Sequence, residues 1–285
     1  MSAKKVGFID YYLDEWHANN YPQFFRERSG GKYEVAIAYG QIDNPKEGGI
    51  TNKEWSGKYG VPLAQSIEEV IEKSDVLVVL APNYPEKHEE LCDLPLKSGK
   101  LVYIDKTFAP DRKTAQRIFD HAKKYGTKCF SSSALRFAEE YKGIDRSKIS
   151  RIYSEGAGTY EMYSIHQIEP IVCLMQNRDT PVRATRVMYT GSPTQPSMVI
   201  EFDDGRCAHM YQGAGLKFRI TTVDSENKAK PYEVNCDFFG LFIDALIEFY
   251  ETGAVPVVSE QTVDVIGIRT AGLKAMETPF VWVAI

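Results

Sequence analysis

Residues 75–83 read Asp75-Val76-Leu77-Val78-Val79-Leu80-Ala81-Pro82-Asn83, an unbroken apolar run that stops at a small residue, a proline and an asparagine. A polar, helix-compatible segment carrying His88 follows. A second run, Leu101-Val102-Tyr103-Ile104, then delivers Asp105-Lys106-Thr107. An amphipathic pattern covers about 110–124, and a short strand leads into Ser131-Ser132-Ser133-Ala134-Leu135-Arg136-Phe137. Short β-branched runs that alternate with helices predict parallel strands buried on both faces, joined by helical crossovers. Ligands of such sheets sit at the carboxyl ends of the strands, where Asn83, Asp105 and Lys106 fall.

Upstream, Lys5 to Asp10 predicts a first strand, Glu15 to Arg28 a helix ended by Gly30-Gly31, and Tyr33 to Tyr39 a second strand. Short helices follow over 51–59 and 66–73, the latter with Ser66 and Glu69 in capping-box spacing. This is the opening of a Rossmann-type, doubly wound parallel sheet. Downstream the pattern changes. Ile149 to Gly158 predicts a strand and Tyr163 to Met175 a helix kinked or delayed by Pro170. Strands are expected at 184–189, 197–202, 206–211 and 217–222. Helices over 237–251 and 260–276 and an edge strand at 280–285 close the chain. The fold class is therefore α/β: residues 1–135 form the Rossmann-type domain, and 136–285 an α+β domain on a mostly antiparallel open sheet.

At 285 residues the chain is long enough for two cores. Its net charge of -5 argues against nucleic acid or an anionic membrane surface as a partner. No apolar stretch is long enough to span a bilayer, and Met1-Ser2-Ala3-Lys4-Lys5 runs straight into strand without a signal-peptide core, so a cytoplasmic location is expected. The 5 cysteines are odd in number and show no C-x-x-C pair, which predicts reduced thiols. His17, His121 and His209 have no companions at metal-ligand spacing, so no metal site is expected.

In combination the motifs resemble the Gfo/Idh/MocA oxidoreductases over nearly the whole chain. Ala81-Pro82-Asn83 with His88 resembles that family's strand-end Pro-Asn and following His. Asp105-Lys106-Thr107 resembles its Glu-Lys-Pro motif, and Ile165-His166-Gln167-Ile168-Glu169 its helix-borne His motif. Phe249 through Pro256 to Glu260 is similar to its closing segment. The resemblance implies an NAD(P)-dependent oxidoreductase acting on a sugar, polyol or related hydroxylated small molecule. Lys106 and His166 would be catalytic. Ile9, Asp10, Tyr12, Tyr39, Ala81, Pro82, Asn83, His88 and Asp105 would line NAD or NADP. Arg136, Tyr160 and Tyr163 would meet the substrate, and the second sheet would make a homo-oligomer.

Three positions depart from the family. Where the first βα turn is normally a Gly-x-Gly-x-x-Gly-like loop, this chain has Asp10-Tyr11-Tyr12-Leu13-Asp14-Glu15. Tyr39 ends the second strand where an acidic residue usually meets the adenosine ribose, with Asp43 four residues on. Met162 stands where the family often has an Asp one turn before the His. These keep a second possibility open: the same scaffold without a free dinucleotide, serving as a sugar-binding or regulatory protein or a non-redox catalyst.

Overall fold

The structure, a computed structural model, describes residues 2–176, 182–192 and 194–285. The chain divides into two compact units, one of residues 2–132 with 242–259 and one of 133–241 with 260–285.

The first unit opens with β1 (Lys4–Asp10), α1 (Trp16–Arg28) and β2 (Tyr33–Gly40), followed by α2 (Asn52–Tyr59) and α3 (Ile67–Lys73). Next come β3 (Val76–Val79), α4 (His88–Lys97), β4 (Val102–Ile104), α5 (Arg112–Tyr125) and β5 (Cys129–Phe130). The strands lie in the order β2-β1-β3-β4-β5, all parallel. Leu63 adds one further parallel bridge at Ala38, on the far edge of β2. Counting that bridge, the order across the sheet is that of a dinucleotide-binding 3-2-1-4-5-6 sheet, its outermost strand reduced to one residue. The chain reverses direction across the sheet between β1 and β3. The crevice this leaves at the strands' carboxyl ends is therefore bounded by Asp10 and by the 81–84 turn.

Local chemistry explains the elements. Buried Val76, Leu77, Val78 and Val79 fit a strand covered on both faces. A Cβ on Gly7 would sit 2.5 Å from Val70 Cγ1, so this glycine lets α3 lie close on β1. Asp111 caps α5 through Thr114 N (2.8 Å), Ala115, Ile118, Phe119 and Ala122 face inward, and Gly126 closes the helix at φ +68°. Ser66 caps α3 through Glu69 N, but Glu69 turns its carboxylate to Gln65 N, so the reciprocal half of the box is not made.

The sequence reading gives all of 136–285 to the second domain; the structure returns 242–259 to the first. Aromatic burial explains the correction. In α7 (Phe238–Thr252), Phe242 packs on Tyr21 and Tyr103, Phe249 on Phe130, and Tyr250 on Phe25 and Tyr33. The Tyr250 hydroxyl donates to Leu77 O at 2.8 Å.

The second unit holds β6 (Ile149–Gly156), α6 (Tyr160–Met175), β7 (Ala184–Tyr189), β8 (Ser197–Phe202) and β9 (Cys207–Gln212). It is completed by β10 (Arg219–Asp224), β11 (Ala229–Glu233), α8 (Ser259–Glu277, from residue 260) and β12 (Trp282–Ala284). The strand order is β11-β10-β6-β9-β8-β7-β12, and only the β6–β9 pair is parallel. α6 starts at Tyr160 and runs through Pro170 without ending, so of the two expected effects of Pro170 the late start does not occur. Met198, Ile200 and Phe202 point inward with Ala208 and Met210, whereas Cys207, His209 and Tyr211 lie on the opposite, open face. Among the described residues no helix is long and apolar enough to cross a membrane.

Candidate functional site

In the first unit, the end of β1 and the start of α1 bring an acidic cluster under cover. Asp10 is 1% exposed and Glu15 6%. Glu15 is the N-cap of α1. Its Oε1 accepts from Ala18 N at 2.5 Å and its Oε2 from His17 N at 2.8 Å. The amides that an N-terminus of this kind would turn to an anion are thus already taken by a carboxylate of the same chain.

His17, also buried, places Nδ1 2.7 Å from Asp105 Oδ2. Asp105 Oδ1 accepts from the Tyr103 hydroxyl (3.0 Å) and from Lys106 N (2.8 Å). Complete burial works against the ionised Asp105, but His17, Lys106 and His88 outweigh it and hold the carboxyl down at about 2. Asp10 goes the other way. Burial, then the charges of Glu15 and Asp105, push its carboxyl well above the usual range. Burial likewise raises Glu15, with His17 opposing.

Tyr12 stands where the family's middle glycine lies, and it is 2% exposed. Its ring meets Tyr11 (6.1 Å) and Tyr84 (5.8 Å) edge-on, with the Lys46 ammonium 5.8 Å away. Tyr84 belongs to the turn after β3, so the aromatic group bridges the two strand ends that bound the crevice. Asp14 ties the loop after β2 to this turn, taking Asn44 Nδ2 (2.8 Å) and Ile50 N (3.1 Å). Asp43 takes Asn52 N at 2.7 Å, so its carboxylate is committed to the start of α2. Tyr39 is half-buried at the end of β2.

A dinucleotide's pyrophosphate does not fit this cradle. The helix amides are bonded to Glu15, and Tyr12 fills the place a glycine leaves empty.

The remaining residues of the first unit expected to line the cofactor have these places. Ile9 and Ala81 are core, Pro82 is buried, and Asn83 is exposed on the turn after β3. His88 is fully buried, with Nδ1 3.0 Å from Phe108 O and Nε2 against Leu80 O. It stitches the ends of β3 and β4 together, and burial lowers its pKa. Lys106 is half-buried, follows Asp105 through its own amide, and precedes a cis bond to Thr107. Its charge helps to hold the neighbouring Asp105 carboxyl ionised.

In the second unit, His166 lies half-buried on α6 with Nδ1 2.7 Å from Ser133 Oγ. Tyr163, 44% exposed, places its ring 5.8 Å from the imidazole, and Phe218 closes the other side at 5.9 Å. Met162 is exposed. Two residues expected to meet substrate are built into the interior instead. Arg136 donates to Glu169 Oε2 (2.9 Å) and to Gln261 Oε1, with side chains 7% and 3% exposed for Arg136 and Glu169. Tyr160 directs its hydroxyl at the Ile268 and Arg269 carbonyls, and a Cβ on Gly272 would overlap it. Both are consumed by packing, because a buried guanidinium or phenol needs its partners inside. Among the described residues no group of three or more His, Cys, Asp or Glu could hold a metal ion.

Sequence reasoning missed His17 and Ser133. Their partners lie far along the chain, and neither spacing nor periodicity reports such pairs.

Residues 46–133 match the model of the GFO_IDH_MocA family, described as "Oxidoreductase family, NAD-binding Rossmann fold". No curated protein matches the sequence. Solved structures resemble it over essentially full length. A probable dehydrogenase from Thermotoga maritima is 14% identical at a TM-score of 0.76, covering 98% of each chain. Myo-inositol dehydrogenase from Lactobacillus casei, in complex with NAD(H) and myo-inositol, is 11% identical at 0.79, covering 99% of this chain and 97% of its own. GenD2 from gentamicin A biosynthesis, in complex with NAD, is 10% identical at 0.76, covering 100% and 97%. At such identities the likeness speaks for the fold. The chain shares the fold of these solved dehydrogenases, a parallel Rossmann-type sheet followed by a mostly antiparallel sheet, and within it residues 46–133 carry the match to the NAD-binding family model.

Proposed function

We propose that this chain handles a sugar, polyol or related hydroxylated small molecule on the oxidoreductase scaffold without holding a free dinucleotide in the cradle after β1. The observation that carries this reading is the Glu15 carboxylate bonded to both His17 N and Ala18 N, with Tyr12 buried beside it. Lys106 supplies the working cation of the first unit. An ammonium at a strand's carboxyl end donates to a substrate oxygen and stabilises negative charge as it develops there. His166 supplies the second unit's acid–base group, able to accept or return a hydroxyl proton. Inositols and hexoses are the natural first probes, since inositol dehydrogenases are among the similar structures.

A second reading, an NAD(P)-dependent dehydrogenase, is favoured by the NAD-binding family match and by NAD complexes among the similar structures. Thermal-shift titration separates the two. A ligand at 100 times its Kd adds about 2.7 kcal/mol of stability. The expected result is no shift at millimolar NAD(H) or NADP(H), alongside a shift with a polyol that Lys106→Met removes. A dinucleotide-induced shift would hand the site to the second reading.

A further inference from the structure

His166 stands on α6 without the carboxylate that the family often places one turn earlier, where this chain has the exposed Met162. An imidazole on a helix rotates about two torsions. Unless one nitrogen is held, neither its direction nor its tautomer is fixed. We infer that Ser133 is the positioning residue of His166, binding Nδ1 and so setting the direction and the tautomer of the ring.

Ser133 is itself immobilised. It is fully buried, and its Oγ caps the 3-10 turn Ala134–Phe137 by accepting from Leu135 N at 3.3 Å. The same oxygen lies 2.7 Å from His166 Nδ1. Three residues further along both segments, Arg136 meets Glu169 at 2.9 Å in a buried ion pair. The turn and α6 are therefore joined by two rungs in register, Ser133–His166 and Arg136–Glu169. The lower rung fixes the spacing at which the upper one must form. A buried ion pair of this kind sets geometry more reliably than it adds net stability.

The other walls of the imidazole leave it little room. Tyr163 packs on Gly158, where a Cβ would strike its ring, and Phe218 packs on Gly156 in the same way. Both aromatic rings flank His166. The next residue on α6, Gln167, accepts from Ser154 Oγ (2.8 Å) and donates to Tyr211 O (3.3 Å), which holds the helix to β6 and β9. A neutral hydroxyl then orients the ring without placing a negative charge beside it, as a carboxylate would. The catalytic meaning of this arrangement rests on the reading of His166 given above; the arrangement itself does not.

The test uses the full chain labelled with 15N-histidine. Two-bond 15N–1H spectra report the tautomer of each imidazole, and His166 is assigned by the resonance lost in His166→Gln. One fixed His166 tautomer is expected in the wild type. Ser133→Ala should change the tautomer ratio several-fold, towards an averaged ring, and Ser133→Thr should restore it. An averaged ring already present in the wild type, or unchanged populations in Ser133→Ala, overturns the inference. The wild-type spectrum decides even if a variant does not fold. Failure of any sugar or dinucleotide to bind leaves this result untouched, so the two readings fail separately.

Discussion

At the scale of single residues, Asp10 and Asp105 show how one fold drives two buried carboxyls in opposite directions. Asp105 keeps its charge because His17, the Tyr103 hydroxyl and its neighbour's amide all face it. Its carboxyl sits at about 2, below the ~3.9 of an unstructured chain. The stability it contributes is therefore complete above pH ~4 and is lost as the pH falls through about 2, amounting to roughly 2 kcal/mol. Asp105→Asn should lower stability at pH 7 by at least that amount, since His17 also loses its partner. In urea melts across pH 2 to 7 the gap to wild type should close toward acid; a constant gap would remove the electrostatic explanation. Asp10 has the reverse sign. Its raised carboxyl contributes when protonated, and that contribution is lost as the pH rises through the raised value. Asp10→Asn, a neutral isostere, should flatten the alkaline side of the same curve. Neither behaviour is legible in the sequence: Asp10 and Asp105 read as strand-end acids, and the His17 that separates them lies 88 residues from its partner.

At the scale of elements, most of the secondary structure could be read directly because each helix and buried strand carries its own period and its own stop. The α5 helix states its cap, its inward face and its terminal glycine locally. β11 escaped notice for an equally local reason. Its sequence, Ala229-Lys230-Pro231-Tyr232-Glu233, is polar and contains a proline, and so reads as loop. It survives as a strand because it lies at the sheet edge, where a missing N–H costs nothing on the open side. α7 was seen, but its allegiance was not, because a hydrophobic period does not say which core it faces. The start of α1 offers the sharpest test at this scale. Glutamate is not among the favoured N-cap residues, yet Glu15 serves both early amides while lying near Asp10 and Asp105. Substituting Glu15→Ala removes the cap and also relieves the crowding of carboxylates, and the two effects oppose. Glu15→Asn keeps a cap and relieves the crowding. Equilibrium denaturation should place the Asn variant about 1 kcal/mol above the Ala variant. Equal stabilities would mean that the two hydrogen bonds contribute nothing.

At the scale of the molecule, the whole-chain order of motifs was enough to identify the scaffold, since each motif arrived in register with its strand end. The chemistry was less legible. A motif reports which residue stands at a station, not whether Arg136 or Tyr160 has been drawn into the interior by Glu169 or by the α8 backbone. The second unit's sheet also presents a surface that only the coordinates separate by face. Tyr153 and Tyr211 are 42% and 41% exposed, Tyr153 stacks on His209 at 5.0 Å, and Val199, Cys207 and Val223 lie half-buried around them. The opposite face carries Met198, Ile200, Phe202 and Met210 against the unit's own helices. We propose that the open face seats a second copy of the chain, since its aromatic centre is bordered on one side by the Arg219–Glu155 and Arg219–Glu233 pairs at 2.9 and 2.5 Å. An aromatic centre beside charged pairs fits an interface with an apolar core and a polar edge, and a stable interface needs to bury about 1,200 Å² or more. Size-exclusion chromatography with light scattering should report a dimer at micromolar concentration. The double variant Tyr153→Glu, Tyr211→Glu, which removes two aromatic anchors at about 2 kcal/mol each, should report a monomer whose thermal midpoint at low concentration is unchanged. A wild-type monomer at 100 micromolar, or a double variant that stays dimeric, would place any partner elsewhere on the surface.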